Sequence, residues 1–445
     1  MIKEFDISQA KDKTLAFISS YDEICGNATY TKQLMEQVRP YFKKVDIIKL
    51  DQFLIHSAKL CGMVEKDVLA KINNYDYLNI QWEPGLFASR QKNACRFFIK
   101  IIDQFQGKAI SITSHSLNFD PEFLRQKNVL KYKILKALFP KSLKRQAISN
   151  YFYQNLVIKY INSLCGKKSV SLIVHQENLK KILSYYTKIP VYDHPIVSPT
   201  SDDIAKYNNP NVRGDIIKKY NLDKDKIYCA VFGFYGPYKG IDLAIKALKY
   251  LPENYHLIIG SNVHPTSNFA QRNINVKSIV SKDGQENIVI DVQQNKYLQY
   301  IINLITDKEE KNKKDNNNEI KKTKIIDRIH YINHIFIEDD FKQLIAGVDI
   351  AILPYYEVGQ GGSGPTSYAT FLTHSGKIIL SRTGCFEQYS QTYFPECFTF
   401  FDQGNEIELA KKMLTVQSKR DNLLKETANF NSHTNAMTYV KSLIF

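Results

Sequence analysis

The chain has 445 residues, 44% of them hydrophobic, and 60 Lys and Arg against 45 Asp and Glu give it a formal charge of +15. That length supports two or three domains with separate cores, and no apolar run approaches the roughly 20 residues that a membrane-spanning helix needs. The polar, acid-bearing start lacks the basic-then-apolar layout of a secretory signal, so a reducing cytoplasm is the expected compartment. The seven cysteines, Cys25, Cys61, Cys95, Cys165, Cys229, Cys385 and Cys397, form no Cys-x-x-Cys pair for zinc or redox work. The basic excess favours anionic partners, although abundant Lys, Ile, Asn and Tyr also fit the bias of an AT-rich genome. Nucleic acid is not expected, because the lysines are spread along the chain and no recognition motif is present.

The first strand candidate, in "TLAFISSYDEICGNATYTKQLMEQV", passes through a polar loop bearing Gly26 into a helix with apolar positions every third or fourth residue. The runs "KVDIIKL", "YDYLNIQW", "AISITSH", "VSLIVH" and "IPVYDHP" follow, separated by helical patterns. Such alternation predicts a parallel sheet covered by helices on both faces.

Around Pro195 the alternation lapses into "IVSPTSDDIAKYNNPNVRG", a linker composition. It restarts with "IYCAVFGF", "YHLIIGS", "RIHYINHIF", "VDIAILPYY" and "GKIILSR". The expected organisation is α/β, with two doubly wound Rossmann-like domains and a ligand cleft at the carboxyl ends of their strands. The boundaries are 1–198, a linker at 199–225, a second domain at 226–425 and a last helix in 426–445 returning toward the first domain. Two inserts break the pattern, at about 266–290 with no clear period, and at about 306–324, a charged Asn-rich run read as a surface loop. Neither is expected to carry chemistry.

In "FGFYGPYKGIDLAIKALKYLP" (232–252) a strand gives way to a glycine-bearing loop and a helix that opens at Lys239. A helix start attracts anions through its unsatisfied N–H groups. Lys239 there suits a phosphate, and equally a solvated lysine in an ordinary turn, with its position at the loop surface in either case. The loops at Gly26, "IQWEPGLF", "TSHS", "FGFYGPYKG", "ILPYYEVGQGGSGPTSYA" and "GKIILSRTGCFEQ" all lie where a strand ends toward the expected cleft. In this order and spacing they resemble glycosyltransferase family 4, retaining nucleotide-sugar transferases of GT-B fold. The resemblance runs through most of the chain outside the inserts.

That resemblance implies a donor-binding role for Lys239 on the diphosphate, with Gly233 in the same loop. It places Phe234 where the family usually carries a second cation, an arginine, and Arg382 in "SRTG" is a candidate replacement. "PYYEVGQGGSGPTSYA" resembles the family's paired-glutamate region. Glu357 is the acid available beside the donor sugar, no second glutamate follows at the expected interval, and Glu387 in "GCFEQ" is the candidate ribose contact. Gly362 and Gly364 let backbone approach a ligand closely, and Ser363 can cap a helix there. In the first domain the resemblance places Gly26 and Asn27 beside the diphosphate or acceptor and His115 beside the reacting sugar; a lone histidine is otherwise a common structural hydrogen-bonder. Trp82 and Glu83 offer a stacking face and a carboxylate to an acceptor sugar, or a packed aromatic at a domain edge. His175 and His194 are read as structural.

The reaction implied is transfer of a sugar from a UDP-sugar or GDP-sugar to a hydroxyl of a saccharide or lipid-linked acceptor, with retention. No cofactor or metal is expected, since no Asp and His cluster has ligand spacing. Two readings keep the fold without this activity: a catalytically silent GT-B partner subunit, which the Phe234 position and the missing glutamate suit, and another GT-B enzyme such as an epimerase. In residues 125–145, "RQKNVLKYKILKALFPKSLKR", every charged residue is basic and Leu130, Ile134 and Leu138 share a helical face. That pattern fits an amphipathic helix on an anionic membrane, or one packed on the first sheet with its lysines in water.

Overall fold

A computed structural model of the chain describes residues 7–23, 25–57, 59–117, 119–125, 143–194, 199–262, 276–280, 286–290, 296–306, 325–332, 338–357, 362–430 and 432–444. The chain divides into two compact units. One comprises Met1–Thr200, Gly359–Gly364 and Asn429–Phe445, the other Ser201–Val358 and Pro365–Ala428.

The first unit is built on a six-stranded parallel sheet of β1 (Thr14–Ser19), β2 (Lys44–Lys49), β3 (Tyr77–Trp82), β4 (Ala109–Ser114), β5 (Val170–Val174) and β6 (Val191–Asp193), in the order β2-β1-β3-β4-β5-β6. Every residue of β3, β4 and β5 is buried, as a parallel sheet covered on both faces requires. One face carries Leu78, Ile80, Trp82, Ile110, Ile112, Leu172 and Val174 into a core completed by Phe98, Ile101 and Ile102 of the helix Gln91–Gln104 and by Val157, Ile158 and Ile161 of the helix Leu143–Asn162. The opposite face packs against the helix Gly26–Val38 and the last helix, Ser432–Leu443, through Tyr30, Leu34, Ala436, Tyr439 and Val440.

The second unit has its own six-stranded parallel sheet of β7 (Ile227–Phe234), β8 (Tyr255–Asn262), β11 (Ile329–Tyr331), β12 (Ile350–Leu353), β13 (Ile378–Ser381) and β14 (Thr399–Phe401), ordered β11-β8-β7-β12-β13-β14. Cys229, Val231, Leu257, Ile259, Ile350, Ile352 and Ile379 meet the helices Ile241–Ala247 and Glu406–Thr415 in its core. In each sheet the chain first builds outward on one side and then crosses back to the other. The topological switch falls between β1 and β3 in one unit and between β7 and β12 in the other, the places where doubly wound sheets bind ligands at their carboxyl ends.

Two expectations are corrected, and one strand was missed. The stretch 199–225 is not a bare linker: it holds the helices Ser201–Tyr207 and Val212–Lys219, tied to the second unit by a largely buried Lys342–Asp203 pair at 2.8 Å and by Arg213–Asp349 at 2.7 Å. The aperiodic insert contains β9 (Val276–Val280) and β10 (Glu286–Ile290), paired as an antiparallel ribbon. The strand β14 escaped the sequence reading altogether. The basic stretch 125–145 lies mostly outside the described residues, as do 307–324.

Candidate functional site

At the switch point of the second unit, two loops approach closely. Gly240 has φ 62°, and a Cβ on it would sit 1.9 Å from the carbonyl oxygen of Pro354, so only glycine lets the turn after β7 lie against the end of β12. The backbone N–H of Tyr356 donates to the Tyr238 carbonyl at 2.8 Å and fixes the same pair of loops. Lys239 stands between them, 8% exposed, where the sequence suggested a loop surface. This burial is a correction with a clear cause: the side chain folds back under its own turn, against Gly233 (φ 123°) and the aromatic rings that end β12.

The Lys239 Nζ donates to the Tyr355 hydroxyl at 2.7 Å and lies 3.9 Å from the Tyr355 ring centroid and 4.8 Å from that of Tyr238. Tyr355 is itself buried, its carbonyl accepting from the Ser381 hydroxyl at 2.6 Å. Among the described residues no carboxylate pairs with Lys239. Burial therefore pushes its ammonium down to about 7. A buried cation met, among the described residues, by a phenol and two aromatic faces suits an incoming anion.

Neighbouring strand ends add polar groups. Glu357 follows β12, and its Oε2 accepts from the Gly384 N–H at 2.6 Å, at the start of the helix Gly384–Tyr393 that Thr383 caps through the Phe386 N–H. A carboxylate is favoured there by the helix dipole. The Gln403 amide bridges the region, accepting from the Glu357 N–H at 2.8 Å and donating to the Arg382 carbonyl at 2.6 Å. Arg382, the candidate second cation, is half exposed and paired with Glu387 and Asp402, each at 3.2 Å. The structure thus brings Gly233 and Lys239 together in one cluster, and Glu357, Arg382 and Glu387 in another, all at the carboxyl edge of one sheet. Gly362 and buried Ser363 precede the helix Gly364–Leu372.

In the first unit, Gly26 opens the helix Gly26–Val38 beside the β1/β3 switch; the Cys25 side chain does not cap it, and the Ala28 N–H donates to the Cys25 carbonyl at 3.1 Å. The Asn27 carbonyl accepts from Thr31 at 2.7 Å. Trp82 is a further correction: it is 1% exposed, with its ring centroid 5.1 Å from Phe87 and 4.4 Å from Phe98, and no face of the indole remains for a sugar. Glu83 stays at the strand end and accepts from the Ser116 hydroxyl at 2.7 Å; burial raises its carboxyl above the usual range.

His115 follows β4 and is partly buried. Its Nε2 faces the Gln81 Oε1 at 2.8 Å, and its Nδ1 faces the His175 Nε2 at 3.2 Å. Burial, then the neighbouring His175, pushes His115 well below the usual imidazole range, and burial also lowers His175. His175, read as structural, is the direct hydrogen-bond partner of His115. The sequence carried a signal for this. The strands β4, β5 and β6 each run into a histidine, and the registers Thr113 with Ile173 and Val174 with Asp193, continued to the strand ends, align His115, His175 and His194 in a row. Tyr355 and Gln81, also central here, gave no comparable signal.

Among the described residues no group of three or more His, Cys, Asp or Glu is placed to hold a metal, and no helix is long and apolar enough to cross a membrane. No protein-family model matches the chain, and no curated protein sequence matches it. Solved structures do. HepE from Anabaena in complex with UDP is 12% identical with a TM-score of 0.57, the match covering 97% of this chain and 99% of that one. An alpha,alpha-trehalose-phosphate synthase (UDP-forming) from Burkholderia vietnamiensis is 9% identical, TM-score 0.60, covering 97% of each. WaaG, a glycosyltransferase involved in lipopolysaccharide biosynthesis, is 12% identical, TM-score 0.50, again covering 97% of each. At these identities the likeness is one of fold: α/β, two doubly wound Rossmann-like units, the GT-B class.

Proposed function

We propose that the chain is a glycosyltransferase that moves a sugar from a nucleoside diphosphate sugar to a hydroxyl. The observation that carries this reading is Lys239, a buried cation without a carboxylate partner among the described residues, at the β7/β12 switch of a GT-B unit. The donor diphosphate would lie against Lys239 and the amides of the neighbouring turn, and gain charge as the glycosidic bond breaks; groups fixed there stabilise the transition state more than the ground state. A UDP-sugar is the first choice over a GDP-sugar, because the HepE and trehalose-phosphate synthase structures are a UDP complex and a UDP-forming enzyme. In this reading Glu357 orients the donor sugar and Glu387 contacts the ribose. Retention, family 4 character and a saccharide or lipid-linked acceptor belong to the same reading, with no metal or cofactor required. WaaG's part in lipopolysaccharide biosynthesis makes a cell-envelope acceptor the natural first test.

A second reading, a nucleotide-sugar-binding subunit without turnover, is favoured by one observation: Arg382, the candidate second cation, is already engaged by Glu387 and Asp402, while the family resemblance puts Phe234 where that cation would otherwise stand. A panel of UDP- and GDP-sugars, scored for both thermal shift and slow donor hydrolysis, separates the two. A shift with hydrolysis supports the transferase, a shift alone supports the binding subunit, and neither response across the panel overturns the proposal.

A further inference from the structure

The hydrogen-bond partners of His115 and His175 constrain how many protons the two rings carry. At one end of the pair, the His115 Nε2 faces the Gln81 side-chain oxygen at 2.8 Å. That amide is oriented by its own nitrogen, which donates to the Asn79 Oδ1 and, at 3.3 Å, to the Thr113 hydroxyl, while the Asn79 amide donates to Ser111 at 2.7 Å and to Thr113 at 3.2 Å. At the other end, the His175 Nδ1 faces the His194 backbone carbonyl at 3.0 Å. Both outer atoms are acceptors, so both outer nitrogens must carry hydrogen. The central contact between the His115 Nδ1 and the His175 Nε2, at 3.2 Å, needs one more hydrogen and one lone pair. Two neutral imidazoles supply only two hydrogens, and this arrangement uses three.

We propose that His115 and His175 share three protons among their four ring nitrogens and act as one unit of charge +1 at the carboxyl edge of the first sheet. Burial lowers both rings, and His175 lowers His115 further, so the surroundings oppose even one extra proton and rule out a second. What holds the first is the geometry: a fixed acceptor at each end and a ring-to-ring contact that needs a hydrogen. Among the described residues the surroundings supply no compensating anion. From the helix Gly26–Val38, the Tyr30 ring meets His115 edge-on at 5.0 Å and His175 at 5.6 Å. From the last helix, Tyr439 bonds to the Tyr30 hydroxyl, accepts from Thr113 at 3.4 Å and packs on His194 at 5.0 Å. Burial holds both phenols neutral, well above their usual range. Among the described residues neither imidazole meets a carboxylate.

With every ring nitrogen committed inside the protein, the pair offers charge rather than a transferable proton. What it favours is a ligand anion, or an oxygen gaining negative charge. His175 is thus a positioning residue that acts through His115. The inference does not depend on glycosyl transfer.

The test is nitrogen-15 spectroscopy on the full chain labelled at histidine, with long-range proton–nitrogen correlations at neutral pH and signals assigned through His115→Gln and His175→Gln. The expected pattern for the pair is three nitrogens in the protonated range and one in the unprotonated range. Two of each in the wild type would mean a neutral pair with the Gln81 amide reversed, and would overturn the proposal. Gln81→Met removes one acceptor and should convert three-and-one to two-and-two. An unchanged pattern in that variant would refute Gln81 as the group holding the shared proton.

Discussion

The Nζ of Lys239 lies 2.7 Å from the hydroxyl of Tyr355, and this bond joins the loop after β7 to the end of β12 at the topological switch of the second unit. Tyr355→Phe keeps the ring beneath the ammonium and removes its oxygen partner. A hydrogen bond to a charged group contributes about 1.5–3 kcal/mol, so the variant should lose roughly that much stability in urea unfolding below pH 7, where Lys239 is charged. Above pH 9 the loss should shrink.

Lys239 also makes stability depend on pH. Its folded value of about 7 lies below the ordinary lysine value, so between about pH 7 and 10.5 the unfolded chain holds more protons than the folded one. Stability at this site therefore rises with pH across that window, by at most about 1.4 kcal/mol per pH unit. Wild type should gain on Lys239→Met between pH 7 and 9 in parallel denaturant titrations. A constant difference between the two would contradict the burial of a titrating ammonium.

Donor binding should carry the opposite signature. An anion beside Lys239 restores its proton, so at pH 8 binding of a UDP-sugar, which has no titrating phosphate of its own near that pH, should take up close to one proton. Calorimetry in buffers of different ionisation enthalpy reads the uptake directly. Affinity should fall as pH rises above 7.

Gly240→Ala places a Cβ 1.9 Å from the Pro354 carbonyl oxygen, on a backbone with φ 62°. Strain of this kind costs about 1–3 kcal/mol before the clash is counted. The variant should unfold at a markedly lower denaturant midpoint, whereas Gly26→Ala, whose Cβ would meet nothing within 4 Å, should not.

Glu357→Gln leaves an acceptor for the Gly384 N–H and removes the charge. If Glu357 acts at the sugar, turnover should fall by more than about tenfold while UDP affinity stays within about threefold. Equal losses in both would instead place Glu357 at the nucleotide.

The sheets were legible in the sequence because their strands are short apolar runs at regular intervals, and the Lys239 loop because glycine and lysine bracket a helix start. The β14 strand was not, since three residues of an edge strand carry no period. The stripe of Asn79, Gln81, Ser111 and Thr113 is buried and meets the last helix through Thr113 and Tyr439, a contact 326 residues apart in sequence that no local pattern encodes. Trp82 failed for a related reason: a strand-end aromatic is compatible with ligand or core, and Phe87 and Phe98 decide for the core. Lys239 was located correctly in the chain but not in depth, because its burial depends on Tyr355 and Gly233 closing around it.

The most direct test of the account is the affinity of wild type and Lys239→Ala for UDP and GDP, measured by calorimetry with the fold of the variant verified by circular dichroism. The account requires wild type to bind at least one of the two, and the variant to bind it about 10-fold to 100-fold more weakly, as expected for one charge-assisted contact. Equal affinities in a folded variant, or no binding of either nucleotide by wild type, would contradict it.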